Sequence, residues 1–443
     1  MNPQTISSAK MLADFRPFQA WRYNLDQVRI DQVIAPPYDV ISGEEQNALY
    51  ERSPFNCVRL ILNKEEASDQ DQANRYTRAR DFFQDWKKKG ILTQESSPCF
   101  YYYRQTFKHP LTGETKERSA LLGRFKIEAF EKQIVIPHEK TLSKPRADRR
   151  RLLEATRTNF SPVFGLYEYD HGQNEAIHTI LQKAPLFDTT DDQGVKHAVW
   201  VVEDPQVIEG IHRGISAQKV YIADGHHRYQ TSLEYAQEQR ALRKAKPEEE
   251  LDSDFTLMAL VHFYDPGMLI LPTHRMILPF DGYNPAKLAE ALKPIFQVEA
   301  LEFDQIQKRL AQSAKQVQMG LQFENGTSYL LTFQDPAEAR RKMPEGKADL
   351  WYDLDVALVS HLILGSLWGI PESQWESTIR YTHSTAEALK QVKSKQVAAS
   401  FFLRAPKVEL LRDMGAHREL MPQKSTYFYP KLASGLVFNQ HEK

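Results

Sequence analysis

The chain is poor in cysteine: Cys57 and Cys99 are the only two in 443 residues. Two thiols build neither a disulfide framework nor a cysteine-rich zinc site, and such sparing use fits a reducing cytoplasm. Long hydrophobic runs are missing as well. The best, 255–263 and 362–370, fall far short of the ~20 residues that span a bilayer. The first residues, Met1-Asn2-Pro3-Gln4-Thr5, carry neither the charged nor the apolar region of a signal peptide. Nor is there a surplus of one charge. Lys and Arg number 57 against 58 Asp and Glu, a net −1, so no global field draws the chain to nucleic acid. His-Glu-x-x-His is absent. Lys424-Ser425-Thr426 lacks the glycine-rich loop of a P-loop before it, which excludes a Walker motif. What remains is a cytoplasmic globular chain, 41% hydrophobic and 26% charged, able to bury real cores.

Its length suggests two or three domains. We read an N-terminal α/β region over 1–130, a core over 131–280 and a C-terminal α/β region over 281–443. Residues 34–41 form a loop stiffened by Pro36 and Pro37. Ser42 reads as the cap of a helix reaching Arg52. The run 58–62 reads as a strand, 70–89 as a helix, and 101–107 with 120–127 as a hairpin. Helices at 147–156, 175–182 and 207–215 then alternate with strands at 162–169, 198–202 and 220–223. That alternation predicts an α/β core in a mixed α+β fold. Strands follow at 256–264, 318–323 and 328–333, and an apolar helix at 353–367.

The richest stretch is Ala223-Asp224-Gly225-His226-His227-Arg228-Tyr229. An apolar strand ends in Asp-Gly and a helical pattern begins. Glycine permits a sharp turn and close approach of a ligand. A helix starting there aims backbone N–H groups and the positive end of its dipole forward, and Arg228 adds a fork of donors. The construction suits a phosphate or carboxylate. An ordinary strand–helix turn with solvated histidines would also explain it.

Four further clusters could carry chemistry. His138-Glu139-Lys140-Thr141 precedes a basic helix containing Arg149, and Glu139 among cations is a candidate general base. On that helix Arg150 and Arg151 read as a solvated face. Asn159 and Ser161 sit in a polar turn before a buried strand. Thr273, His274 and Arg275 end another strand, where ligands gather in α/β sheets. Lys424, Ser425 and Thr426 form a C-terminal cluster. Tyr38 and Asp39, on the proline loop, add a phenol and an acid. Each cluster has a bland alternative as a turn or a paired strand end. A metal centre from His138, Glu139, His226 and His274 lacks signature spacing. Magnesium shared with nucleotide phosphates needs one or two carboxylates, which Asp39, Glu139 or Asp224 could supply.

These motifs resemble those of the prokaryotic domain-of-unknown-function family 1015. The matching segments are Ala-Pro-Pro-Tyr-Asp-Val at 35–40, His-Glu-Lys-Thr at 138–141 with Arg149, and 159–164. They continue with 223–229, Pro-Thr-His-Arg at 272–275, and 422–431. The turn at 224–228 is also similar to the phosphate-binding turn of the ParB/sulfiredoxin-like superfamily, which includes free-serine kinases. That likeness implies a ParB/sulfiredoxin-like phosphate-binding core with additional α/β lobes, in which Asp224 to Arg228 hold nucleotide phosphates and Glu139 acts as base. The expected activity is phosphoryl transfer from ATP or ADP, with magnesium, to a small hydroxylated metabolite such as serine. Two other readings stand beside it: a metal-dependent hydrolase using His138, His226, His227 and His274, and a regulatory nucleotide-binding protein without catalysis.

Overall fold

The computed structural model describes residues 13–140, 143–168, 175–312 and 316–441. The chain forms two compact units. The first takes in the chain up to Pro137, the stretch ending at Met268 and the return from Pro430; the second takes in His138–Lys140 and Leu269–Tyr429.

The first unit is built on a mixed sheet of nine strands among the described residues. They are β1 (Phe15–Arg16), β2 (Phe100–Lys108), β3 (Thr115–Lys126), β4 (Val135–Ile136), β5 (Val163–Tyr167), β6 (Phe187–Thr190), β7 (Lys196–Val202), β8 (Val220–Asp224) and β9 (Phe255–His262). Their order is β4-β8-β5-β9-β3-β2-β7-β6, with β1 on β3. The continuous apolar run of β9 fits a central strand covered on both faces. It pairs parallel with β5 and antiparallel with β3. The hairpin of β2 and β3 stands as expected. These strands join 1–130 to 131–280 in one sheet, so the expected boundary near 130 is not a domain boundary.

The main helices of this unit are α1 (Gly43–Arg52), α2 (Val58–Ile61), α3 (Arg75–Lys88), α4 (Ser143–Thr156), α5 (Pro205–Ser216) and α6 (His226–Arg243). A capping box starts α1: Glu45 N–H donates to Ser42 Oγ at 3.2 Å, and Ser42 N–H donates to Glu45 Oε2 at 2.8 Å. The expected strand at 58–62 is instead α2. Five apolar residues carry no period that separates strand from helix. The local decision comes from Asn56, whose Oδ1 accepts from Val58 N–H while its Nδ2 donates to the Gln32 and Ile34 carbonyls. The basic face of α4 is ion-paired to α6, through Arg150 with Glu238 and Arg146 with Glu234.

The second unit carries an antiparallel sheet of β10 (His274–Ile277), β11 (Phe296–Ala300), β12 (Gln318–Phe323), β13 (Ser328–Phe333), β14 (Ile379–Thr382) and β15 (Ala399–Phe402). The order is β11-β13-β12-β15-β10-β14. Helices α7 (Phe303–Gln312) and α8 (Thr385–Lys393) supply Phe303, Ala388 and Val392 to a core shared with Met276, Val397 and Phe402. The apolar stretch 355–367 begins as an α-helix and continues as a buried π-helix from Leu358. Among the described residues no single helix is long and apolar enough to cross a membrane.

Candidate functional site

In the first unit, β8 carries Asp224 to the sheet end, where Gly225 turns the chain at φ +88°. A Cβ at Gly225 would lie 3.0 Å from the Arg228 guanidinium, so glycine lets this arginine fold back over the turn. Helix α6 starts at His226 with no side-chain cap. Arg228 Nη2 donates to Asp224 Oδ2 at 3.2 Å, and its Nη1 donates to the Pro162 carbonyl. The other Asp224 oxygen lies 3.1 Å from Lys431 Nζ. Burial alone would raise the Asp224 pKa; Lys431, Arg228 and His226 outweigh it and hold the carboxyl well below the usual range. A carboxylate stabilised in this way is a weak proton acceptor. His226 is buried and His227 half-buried at the start of α6.

Beside this turn lies a small open pocket, with a cavity volume of about 50 Å³. Ile61, Leu152, Leu153 and Phe160 form its apolar wall. Tyr38, Arg149, Asn159, Ser161, Arg228, Thr231, Ser232 and Thr256 bring the polar groups. The Arg149 guanidinium stacks 3.8 Å over the Tyr38 ring, donates to the Ile61 carbonyl at 2.7 Å and pairs with Asp148. Burial pushes the Tyr38 phenol up to about 12 against the pull of Arg149. Asp39, next along the loop, is exposed.

Two expected binding residues prove to be internal supports. Asn159 Oδ1 accepts from Leu257 N–H, Asn439 Nδ2 and His441 Nε2, which fastens the C-terminal return. Tyr229 is fully buried, its hydroxyl bonded to both backbone groups of Glu128. Ser161 Oγ shares a 2.7 Å bond with Ser434 Oγ. Sequence reasoning passed over Lys431. Its only signal was its place as the last residue of the 422–431 motif. Its carbonyl accepts from Gln105, and the preceding carbonyl of Pro430 accepts from the buried Arg118, which fixes its position.

The second unit gathers the other motifs. His138–Lys140 runs beside Met421, whose N–H donates to the His138 carbonyl at 2.8 Å. Lys424 takes a left-handed conformation, φ +57°, and the N–H groups after it converge. Glu139 Oε1 accepts from Ser425 N–H at 3.0 Å, Thr426 N–H at 3.2 Å and Thr426 Oγ1 at 3.3 Å. His138 Nε2 lies 2.9 Å from Thr426 Oγ1. Lys140 and Lys424 are exposed. Thr141 lies outside the described residues.

The strand-end residues turn inward. Arg275 is fully buried; it donates to the Thr273 carbonyl at 2.7 Å and reaches the Gln423 and Lys424 carbonyls at 3.5 and 3.4 Å. Thr273 Oγ1 lies 3.4 Å from His383 Nδ1. His274 accepts from Leu403 N–H on Nδ1 and donates from Nε2 to Thr385 Oγ1, and burial lowers its pKa to about 4. It is a neutral core histidine with both nitrogens bonded, which leaves neither for a ligand. Of the histidines expected to share a metal, His138 and His274 belong to the second unit and His226 and His227 to the first. Among the described residues no three His, Cys, Asp or Glu side chains group to hold a metal ion.

The profile of the family described as Protein of unknown function (DUF1015) matches residues 15–357, well over half the chain. The chain belongs to the DUF1015 family. The DUF1015 match includes the proline loop, the turn at 224–228 and residues 272–275; the Lys424 turn and Lys431 follow its end. No curated protein matches this DUF1015 chain. Among solved structures it is similar to a conserved hypothetical protein from Pyrococcus furiosus, at 13% identity over 68% of this chain and 89% of that one, TM-score 0.34. It is similar to a free serine kinase in complex with AMP, at 14% identity over 67% and 83%, TM-score 0.32. A third is SbnI with a C-terminal truncation from Staphylococcus aureus, at 8% identity over 68% and 82%, TM-score 0.33.

Proposed function

We propose that this chain is a nucleotide-dependent phosphotransferase acting on a small hydroxylated metabolite, with free serine the leading acceptor. The first-unit pocket is the proposed phosphate site. One observation carries the reading: Arg228 and Lys431 both face Asp224, so a single carboxylate stands against two cations beside a helix start without a side-chain cap. A partly dry site with that surplus favours an anion. The apolar wall of Ile61, Leu152, Leu153 and Phe160 gives a nucleoside somewhere to rest.

Magnesium would neutralise phosphate charge when it enters with the nucleotide. Asp224 is ion-paired on both oxygens, so the exposed Asp39 is the first-unit carboxylate better suited to share that ion. The same pairing weakens Asp224 as the acceptor of the hydroxyl proton. Glu139 is the proposed base, and its Oε1 already takes three hydrogen bonds. That commitment favours a second reading, a nucleotide-binding regulator without catalysis.

Calorimetry with AMP, ADP and ATP, paired with a phosphoserine assay, tests both. Nucleotide binding with serine-dependent turnover supports the kinase. Binding without turnover on serine or other hydroxylated acceptors supports the regulator. Absence of nucleotide binding overturns both.

A further inference from the structure

In the second unit, the turn Pro422–Thr426 is a backbone anion nest. The left-handed Lys424 rotates the next two peptide N–H groups to one side, and both donate to the same oxygen. Thr426 adds its hydroxyl, with His138 behind it. A second observation concerns charge. Arg275 is fully buried, its Nη2 leans on carbonyls of this turn, and its Nε has no hydrogen-bond partner. No carboxylate lies within ion-pair distance of it among the described residues. Lys140 and Lys424, exposed on either strand of the cluster, make no ion pair there either. Arg275 feels Glu139 and Asp355 only beyond ion-pair distance, and a buried cation without a close anion is costly.

We propose that this turn is a second oxyanion site, specific for a phosphate monoester or inorganic phosphate, in which Glu139 Oε1 occupies the place of one phosphate oxygen and is displaced when the ligand binds. The residues of this site belong to the second unit, and the proposal does not rest on the kinase reading. A dianion fits better than a second carboxylate: one oxygen takes the nest N–H groups and the Thr426 hydroxyl, and the others remain for Lys140 and Lys424. Glu139 competes because it is tethered. A group held beside its site acts at a high effective concentration, so the native chain binds phosphate more weakly than the nest allows.

The test is titration of the full chain with inorganic phosphate by calorimetry. Native protein, Glu139→Ala and Glu139→Gln are compared, each also carrying Arg228→Ala to silence the first-unit pocket. Circular dichroism checks folding. We expect Kd for phosphate to fall at least tenfold in Glu139→Ala, with the gain kept in the Arg228→Ala background and reversed several-fold by adding Lys424→Ala. If Glu139→Ala does not fold, Glu139→Gln, which keeps the shape and drops the charge, carries the same expectation. Equal phosphate affinity in native and Glu139 variants overturns the proposal. So does a gain that disappears with Arg228→Ala, since that phosphate would belong to the first unit.

Discussion

The two units treat similar residues in opposite ways. Around the first-unit pocket, Arg149, Arg228 and Tyr38 line open space, and Lys431 adds charge beside it. In the second unit, His138, Glu139 and Thr426 bond one another, while the buried His274 and Arg275 spend their polar groups on Thr385, Leu403 and backbone carbonyls. The difference shows why residue type alone is a poor guide to a site. Histidine and arginine at a strand end satisfy a core as readily as they hold a ligand. What separates the outcomes is whether a cavity stands beside them.

Four measurements break or sharpen that contrast. The largest expected effect is in Glu139→Gln. If this carboxylate takes the hydroxyl proton, steady-state turnover with serine and nucleotide falls by about 10²–10⁴. Unchanged turnover would leave the second-unit cluster without a catalytic part.

Next comes pH. His274 in the second unit and His441 in the first are both held near 4 by burial, against 6.5 in the open chain. The unfolded chain therefore binds the additional protons between those values. Stability is full above about pH 6.5 and lost as pH falls toward 4, by about 3 kcal/mol per histidine. Urea melts from pH 7 to 4.5 should follow this slope, and His274→Gln and His441→Gln should each flatten it. A slope untouched by either substitution would place the acid sensitivity elsewhere.

Arg228→Ala should weaken nucleotide binding by roughly 1.5–3 kcal/mol, the worth of a charged hydrogen bond, with the fold kept. Equal calorimetric affinity would remove the phosphate reading of the turn. The smallest effect is expected for Gly225→Ala. A side chain at φ +88° costs about 1–2 kcal/mol and crowds Arg228, so the melt should shift down and nucleotide affinity should drop with it. Unaltered affinity would mean that the folded-back arginine does not matter to binding.

Long elements were legible in advance. Helix α6, the hairpin of β2 and β3 and the apolar stretch at 355–367 carry enough periodic or apolar residues to declare themselves. Helix α2 was not, because five apolar residues have no period and Asn56 decides their path by bonds to carbonyls far back in the chain. Tyr38, Arg149, Ser161 and Arg228 were named from the sequence and share one pocket lining. Asn159 also lines it, yet its oxygen serves Leu257, Asn439 and His441. No local signal announces a partner 280 residues away.

By itself the sequence determined the family, the mixed α/β class and the turn at Asp224–Arg228, since motif order, apolar patterning and glycine chemistry are local properties. Only the tertiary structure decided that His138, Glu139 and residues 422–426 belong with Leu269–Tyr429, and that Lys431 returns to face Asp224. The reason is physical. Pairing between charges and closure of a sheet depend on which distant segments meet, and the cost of closing a long loop rises so slowly with its length that separation along the chain forbids almost none of those meetings.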